Sequence, residues 1–267
     1  MKSPVFLLSG ACLIALSLVG QAVNSRAEAK HSAGDVSKMI LADGGASLVP
    51  IILPGDPSLF TRMAAADLAE YIGKISGAKP EIIEGLPDPV PEHAIWVGFQ
   101  PKLKELFPGA DFDFKHPEEI LIKSDGKNLV IAGRDVRDPK QAVIKAGKTQ
   151  AERFSYLAGF QFANRDVEGF QLEYGTVNAV YTFLQDNLGV RWLWPGNDGE
   201  VVPRQARIAF MPFEARYHPK IRMRHSLFAT STIFKLGGAP GTGNGDWIRR
   251  QRAQLDSMYA TSGHGFA

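Results

Sequence analysis

The sequence predicts an α/β fold, and three stretches carry that prediction. Residues 56–77 place apolar residues four apart, which is the spacing of one face of a helix. Residues 118–135 have the pattern of a β-hairpin, with alternating apolar residues and Asp125-Gly126 at the turn. Residues 174–188 return to helical spacing before Gly189, which is a common helix end.

The first predicted helix has clear limits. Asp56 or Ser58 can cap its start, and Gly77 can close its end. Its apolar face is formed by Phe60, Ala64, Leu68 and Ile72, with Met63, Tyr71 and Ile75 in the neighbouring row.

Short apolar runs predict the strands that accompany the helices. Pro-Gly closes the first of these runs, which is typical of a buried strand that ends in a turn. The predicted strands are residues 48–54, 80–85, 94–99, 200–210 and 217–228, in addition to the hairpin. Residues 136–169 break the pattern and are predicted to be a long insertion.

The first residues predict an export signal. Lys2 gives a positive start, residues 4–20 are apolar, and small residues follow. This order is typical of a cleavable signal peptide. We therefore expect removal of residues 1–29, a secreted or periplasmic location, and no membrane association after cleavage. Residues 30–46 are predicted to be a linker.

Composition and charge exclude several classes of function. The only cysteine, Cys12, lies inside the export signal, which excludes disulfides, thiol catalysis and cysteine-based zinc sites in the mature chain. The formal net charge is +2 and the basic residues are scattered, so we expect no nucleic-acid partner. The glycines of residues 237–245 lack a nucleotide-binding motif and the six histidines are dispersed, so we predict neither a cofactor nor a metal.

Acidic residues give no catalytic assignment. A glycosidase needs one carboxyl group to protonate the leaving oxygen and a second one to activate water or attack. The neighbours Glu118 and Glu119 are predicted to be solvated loop charges, as are Asp111 and Asp113. We therefore predict no catalytic residue in this chain.

Two tryptophans follow the second predicted helix in the segment Arg-Trp-Leu-Trp-Pro. Trp192 and Trp194 are two residues apart, so both would face the same side of an extended segment. Their rings could stack on a sugar, and Arg191 could bind a carboxylate. The favoured alternative is that both rings pack beneath the helix, because buried aromatic rings dominate such contacts.

Most of the chain resembles a known domain. The helix AAADLAEYIGKISGAKPEII, the strand AIWVG, the hairpin ILIKSDGKNLVIAGRD and the segment YGTVNAVYTFLQDNLGVRWLWPGNDGEVVP occur in this order. This order resembles the N-terminal domain of bacterial α-glucuronidases and β-hexosaminidase-like glycoside hydrolases. It is most similar to uncharacterised relatives with an attached domain of unknown function. The resemblance covers residues 48–228, with residues 136–169 as an insertion.

The resemblance implies a fold and a domain plan. The expected fold is an α+β sandwich, in which a mixed sheet has two main helices on one side. It would occupy residues 47–214, and residues 215–267 would begin a (β/α) barrel that is truncated here. Catalysis would take place in that barrel. By the same resemblance, Arg222, Arg224, His225 and His264 would line its sugar site.

Together these features predict a secreted carbohydrate-active protein. The chain would be the non-catalytic N-terminal domain of an α-glucuronidase-like glycoside hydrolase that acts in polysaccharide degradation. It would be inactive alone, with a poly- or oligosaccharide as ligand and the missing barrel as its intramolecular partner. Its expected substrate-binding residues are Trp192, Trp194, Arg224, His225 and His264. Two alternatives remain open, a free-standing carbohydrate-binding domain and a structural envelope domain without hydrolase activity.

Overall fold

The computed structural model describes residues 38–138, 170–221, 224 and 243–253. The strands in this part of the chain are β1 (Met39–Asp43), β2 (Ala46–Ser47), β3 (Ile51–Leu53), β4 (Ile82–Glu84), β5 (Ala94–Val97), β6 (Ile120–Ser124), β7 (Asn128–Gly133), β8 (Asp135–Asp138), β9 (Phe170–Tyr174), β10 (Arg191–Trp192), β11 (Glu200–Val201), β12 (Arg207–Phe210) and β13 (Phe213–Tyr217). The helices there are α1 (Leu59–Ser76), α2 (Leu103–Leu106), α3 (Gly175–Asp186) and α4 (Gly243–Arg250), with a 3-10 turn at Asn197–Gly199.

A six-stranded mixed sheet forms the centre of the fold, in the order β13-β6-β7-β5-β3-β4. Strands β4, β3, β5 and β7 run parallel to one another. Strand β6 is antiparallel to β7 and to β13. Smaller sheets are formed by β12-β1-β2, by β8-β9 and by β10-β11. The predicted α/β class with a mixed sheet is confirmed.

The two faces of the sheet have different coverings. Because successive strand residues point to opposite faces, Ile51 and Ile95 pack in the same core as the buried residues of α1 and α3. Ile52 and Trp96 point the other way and pack against Leu103 and its neighbours around α2. The expected sandwich, with two main helices on one side of the sheet, is therefore confirmed.

Helix α1 begins and ends where its sequence predicts. The Ser58 hydroxyl accepts a hydrogen bond from the Thr61 amide at 3.1 Å, which caps the first turn. Gly77 has φ 82° and its amide donates to the Gly73 carbonyl, which closes the last turn.

Two predicted boundaries are wrong. Strand β1 lies inside the predicted linker of residues 30–46, and its Met39 and Leu41 are buried because β1 pairs with β12. The domain limit at residue 214 falls inside β13, whose five residues pair with β6 in the main sheet. Both errors have one cause: these short strands are stabilised by partners that lie far away along the chain.

Most of the predicted barrel start at residues 215–267 and most of the insertion lie outside the described residues, and α4 falls within the described part of the former. Of the predicted strand at residues 217–228, the structure describes 217–221 and 224, and only Tyr217 belongs to a strand. Of the insertion at 136–169, residues 136–138 belong to β8. Within the described ranges, no helix is long and apolar enough to cross a membrane.

The end of β7 touches the start of α3 so closely that only glycines fit. A Cβ atom added to Gly133 would lie 2.3 Å from the carbonyl carbon of Gly175. Hydrogen bonds hold this contact, because the Gly133 amide donates to the Thr176 hydroxyl and the Gly175 amide donates to the Arg134 carbonyl. The contact fixes α3 on the sheet.

We expect Gly133→Ala to destabilise the domain by about 1–3 kcal/mol, because the new methyl group must displace backbone atoms. Gly109→Ala is the matched control, since a Cβ atom there meets nothing within 4 Å. Urea unfolding of both variants measures the difference. Equal stability of the two variants would contradict the close contact.

Candidate functional site

Trp192 lies in the core of the helix layer. Its side chain is buried, with only 3% of the residue exposed. The indole ring makes edge-to-face contacts with Tyr71 at 5.5 Å and with Tyr181 at 5.8 Å between ring centroids. Its Nε1 atom donates to the Tyr71 hydroxyl at 2.7 Å. Trp192 thus joins β10 to α1 and α3, and its faces are not available to stack on a surface ligand.

A carboxylate network begins at the Tyr71 hydroxyl. Tyr71 donates to Glu200 Oε1 at 2.5 Å, and Lys74 Nζ donates to Glu200 Oε2 at 2.8 Å. Arg250 Nη1 on α4 donates to Glu200 Oε1 at 2.8 Å. Burial alone would raise the pKa of Glu200, but the hydrogen bonds from Lys74 and Tyr71 and the charge of Arg250 lower it below its ordinary value.

A second carboxylate, Asp67, extends the network along α1. Its Oδ2 atom accepts from the Tyr181 hydroxyl at 2.8 Å and pairs with Arg249 at 3.3 Å and Arg250 at 3.4 Å. Arg249 Nε also donates to the Tyr181 hydroxyl at 2.7 Å. Burial, together with the charge of Asp67, raises the pKa of Tyr181 far above its ordinary value, so its hydroxyl stays protonated.

We call this group the Trp192 cluster. It consists of Asp67, Tyr71, Lys74, Tyr181, Trp192, Glu200, Arg249 and Arg250. Every member is linked to another by a hydrogen bond or an ion pair described above.

Helix α4 reaches the cluster from a later part of the chain. Trp247 Nε1 donates to the Trp192 carbonyl at 3.0 Å, and the Gln251 side-chain amide donates to the same oxygen. Ile248 is 1% exposed and belongs to the main core. Aromatic, aliphatic and ionic contacts therefore all attach α4 to the layer formed by α1 and α3.

Trp194 does not share the environment of Trp192. The residue is 66% exposed, and the neighbouring Leu193 is 70% exposed. The prediction that both rings face the same side is wrong because β10 ends at Trp192 and the chain bends after Leu193. The Leu193 amide donates to the Gly199 carbonyl, which holds this bend.

Arg191 caps a helix. Its Nη1 atom donates to the carbonyls of Gln185 and Val190, at the end of α3 and just beyond it. A cation at this position satisfies carbonyls that have no helical partner and complements the helix dipole. The Arg191 guanidinium, for which we suggested a ligand carboxylate as partner, therefore binds backbone carbonyls of the chain itself.

Arg224 binds a buried carboxylate. Its Nη2 atom lies 2.5 Å from Glu118 Oε2, and its Nε atom donates to the Arg252 carbonyl at 2.8 Å. Asn178 donates to the other Glu118 oxygen, and the Glu118 amide donates to Glu173. The expected sugar contact of Arg224 thus competes with an ion pair inside the protein.

The prediction that Glu118 and Glu119 are solvated is wrong. Glu118 is 1% exposed and Glu119 is 5% exposed. Glu119 accepts from the amides of Lys115 and His116 and pairs with Arg216 at 2.5 Å. Burial alone would raise the pKa of Glu119, but the His116 amide and Arg216 lower it. No local sequence signal reveals this burial, because both partner arginines come from the far end of the domain.

The remaining predicted residues lie outside the described part of the chain. They are Arg222, His225 and His264. Within the described ranges, no group of three or more histidine, aspartate, glutamate or cysteine side chains could hold a metal ion. The prediction of no metal and no cofactor stays a prediction. No protein-family model matches the chain, and no curated protein matches it.

We expect Trp192→Ala to destabilise the domain by about 3–5 kcal/mol, because it removes a buried ring and leaves a cavity among three helices. Trp194→Ala is the matched change at an exposed ring, and we expect an effect within about 0.5 kcal/mol. Urea unfolding at neutral pH measures both values. A large loss in Trp194→Ala would contradict the placement of the two rings.

Glu200→Gln tests the charge of the Trp192 cluster. The pKa of Glu200 is lower in the folded chain than in the unfolded chain, so its stabilisation is present above about pH 4.3 and is lost as the pH falls. We expect the variant to be about 2 kcal/mol less stable at pH 6 and the difference to shrink at pH 3. Urea unfolding at the two pH values measures it.

Glu70→Gln is the control for this experiment. Glu70 also pairs with Lys74, but its side chain is 52% exposed, whereas that of Glu200 is 8% exposed. An exposed pair of this kind contributes less than about 1 kcal/mol. If the two variants lose the same stability, or if the loss in Glu200→Gln does not change with pH, the buried carboxylate is not the source of the effect.

Proposed function

We propose that this chain is the non-catalytic N-terminal α/β domain of a secreted carbohydrate-active protein, an α-glucuronidase-like glycoside hydrolase that acts in polysaccharide degradation. The domain holds the following part of the chain in a fixed position. The observation that carries this proposal is the attachment of α4 to the Trp192 cluster through Trp247, Arg249 and Arg250.

The composition of this attachment supports a docking role. Tryptophan, tyrosine and arginine are the residues that contribute most to protein interfaces. Trp192 and Trp247 meet through a hydrogen bond, and Arg250 lies over the rings of Tyr71 and Trp192 at 5.4 and 6.0 Å. A segment that joined two independent domains would not need this many buried contacts.

The state of the carboxylates supports a non-catalytic role. A glycosidase acid must stay protonated near neutral pH, so its pKa is raised by its environment. In this domain, arginine lowers the pKa of Glu119, and lysine, tyrosine and arginine lower that of Glu200. Asp67, Glu118 and Glu173 are also paired with arginines. These carboxylates serve as partners of cations, and the reacting carboxyl groups belong to the proposed barrel.

A free-standing carbohydrate-binding domain is the second candidate function. The exposed ring of Trp194, beside the exposed Leu193, favours it, because an accessible tryptophan can stack on a sugar. In this case the chain would bind a glycan without any attached catalytic domain.

The test is a comparison of the natively secreted protein with the chain printed here. We expect the native protein to have an intact mass well above 29.1 kDa and to release glucuronic acid from glucuronoxylan. The printed chain alone should show no turnover, because its buried carboxylates are held by cations. Mass spectrometry and a reducing-sugar assay supply the two readouts.

The same experiment separates the two candidates. Turnover by the printed chain would contradict the non-catalytic role. A native mass slightly below 29.1 kDa would contradict an attached hydrolase and favour the free-standing binding domain. In the long form, Arg250→Ala should split a single calorimetric unfolding transition into two, because it breaks contacts with both Asp67 and Glu200.

A further inference from the structure

A crevice lies outside the carboxyl ends of three parallel strands of the main sheet. The chain leaves β3 through α1 toward β4 on one side, whereas β5 and β7 lie on the other side of β3. The strand order therefore reverses between β3 and β5. Open α/β sheets bind ligands at such a reversal, because the loops after the two strands diverge and leave a gap.

The residues that follow each strand line this crevice. Pro54 and Asp56 follow β3, Gly98 and Phe99 follow β5, and Arg134 follows β7. The volume of the crevice is about 400 Å³, which is within the range of small-molecule sites. The Trp192 cluster contributes none of its residues to the lining.

One wall of the crevice is aromatic. Phe99, Phe112 and Phe114 line it, and the ring centroids of Phe99 and Phe112 are 5.4 Å apart. Phe99 is 39% exposed. The same two rings also line an adjoining hollow of about 590 Å³. They form a ridge between two spaces, which is an arrangement that suits an extended ligand.

Carboxylates dominate the polar wall. Asp56 and Asp135 both line the crevice and are exposed. The cation there, Arg134, pairs with Glu173 at 3.2 Å, so its charge is balanced within the protein. The Ser58 hydroxyl caps the first turn of α1, so that end of the helix is already occupied. Asp135 also has a partner, because its Oδ1 atom accepts from the Thr176 amide at 3.1 Å. The lining nevertheless holds two carboxylates and one guanidinium, and this excess of negative charge disfavours an anion.

We propose that this crevice binds a neutral oligosaccharide. Sugar rings present C–H faces that pack on aromatic side chains, and hydroxyl groups that donate to carboxylates. Phe99 and Phe112 supply the first kind of contact, and Asp56 and Asp135 supply the second. The inference rests on the carbohydrate part of the proposed function, but it does not need a catalytic domain or the attachment of α4.

Isothermal titration calorimetry of the whole printed chain tests the proposal. The neutral probes are xylohexaose, cellohexaose and mannohexaose, and the acidic probe is trigalacturonic acid. We expect at least one neutral probe to bind and the acidic probe not to bind. Phe99→Ala and Phe112→Ala should each weaken binding about tenfold, because a central aromatic contact is lost.

Tyr217→Ala is the matched control, since this tyrosine is 58% exposed and does not line the crevice. Circular dichroism and thermal unfolding show that each variant is folded. If Phe112→Ala fails to fold, Phe99→Ala alone tests the aromatic contact, because its ring is more exposed and its loss should disturb folding less. Binding of the neutral probe should be unchanged in the control.

Three results would overturn the proposal. They are no binding of any neutral probe, tighter binding of trigalacturonic acid than of the neutral probes, and loss of binding in Trp194→Ala with full binding in Phe99→Ala. The outcome is independent of the test for the attached domain. A native mass near 29.1 kDa together with binding in the crevice would contradict the attached hydrolase and still support the saccharide site.

Discussion

The buried indole of Trp192 is the contact on which the arrangement of the helix layer depends. Its ring meets Tyr71 of α1 and Tyr181 of α3, and its carbonyl accepts from Trp247 of α4. The first and last of these partners are 121 and 55 residues away along the chain. A single residue thus contacts three helices: its ring packs on Tyr71 of α1, Tyr181 of α3 and the Arg250 guanidinium of α4, and its backbone carbonyl binds Trp247.

Buried charge adds a second constraint on the same layer. Asp67 and Glu200 would be costly to bury alone, because an isolated carboxylate loses its hydration. Arg249 and Arg250 offset that cost only when α4 is in place. Glu118 is a further buried carboxylate that is paired with an arginine from a later part of the chain, Arg224. The domain and the segment after it are therefore coupled by buried ion pairs, of which the pairs of Asp67 with Arg249 and Arg250 both come from α4, whereas Glu200 also has Lys74 of α1.

Local signals were enough to predict α1, its caps and the hairpin. The helical spacing of Phe60 and Leu68, and the turn at Asp125-Gly126, act over a few residues and do not depend on the rest of the fold. Strand β1 and the burial of Glu118 were missed because each depends on a distant partner, β12 for the strand and Arg224 for the carboxylate. The crevice was missed for the same reason, since its lining comes from loops that meet only when the parallel strands align.

The geometry of α1 allows the two proposed roles of the domain, holding the following segment and binding a sugar, to coexist. Ser58 at its start lines the crevice, and Tyr71 near its end belongs to the Trp192 cluster. At 1.5 Å per residue these two positions are roughly 20 Å apart. The described part of α4 contributes no side chain to the crevice. Attachment of α4 therefore leaves the crevice lining intact, and α1 fixes the distance between the attached segment and the crevice. A polysaccharide held at the strand ends would then stay at a constant position relative to whatever α4 leads into.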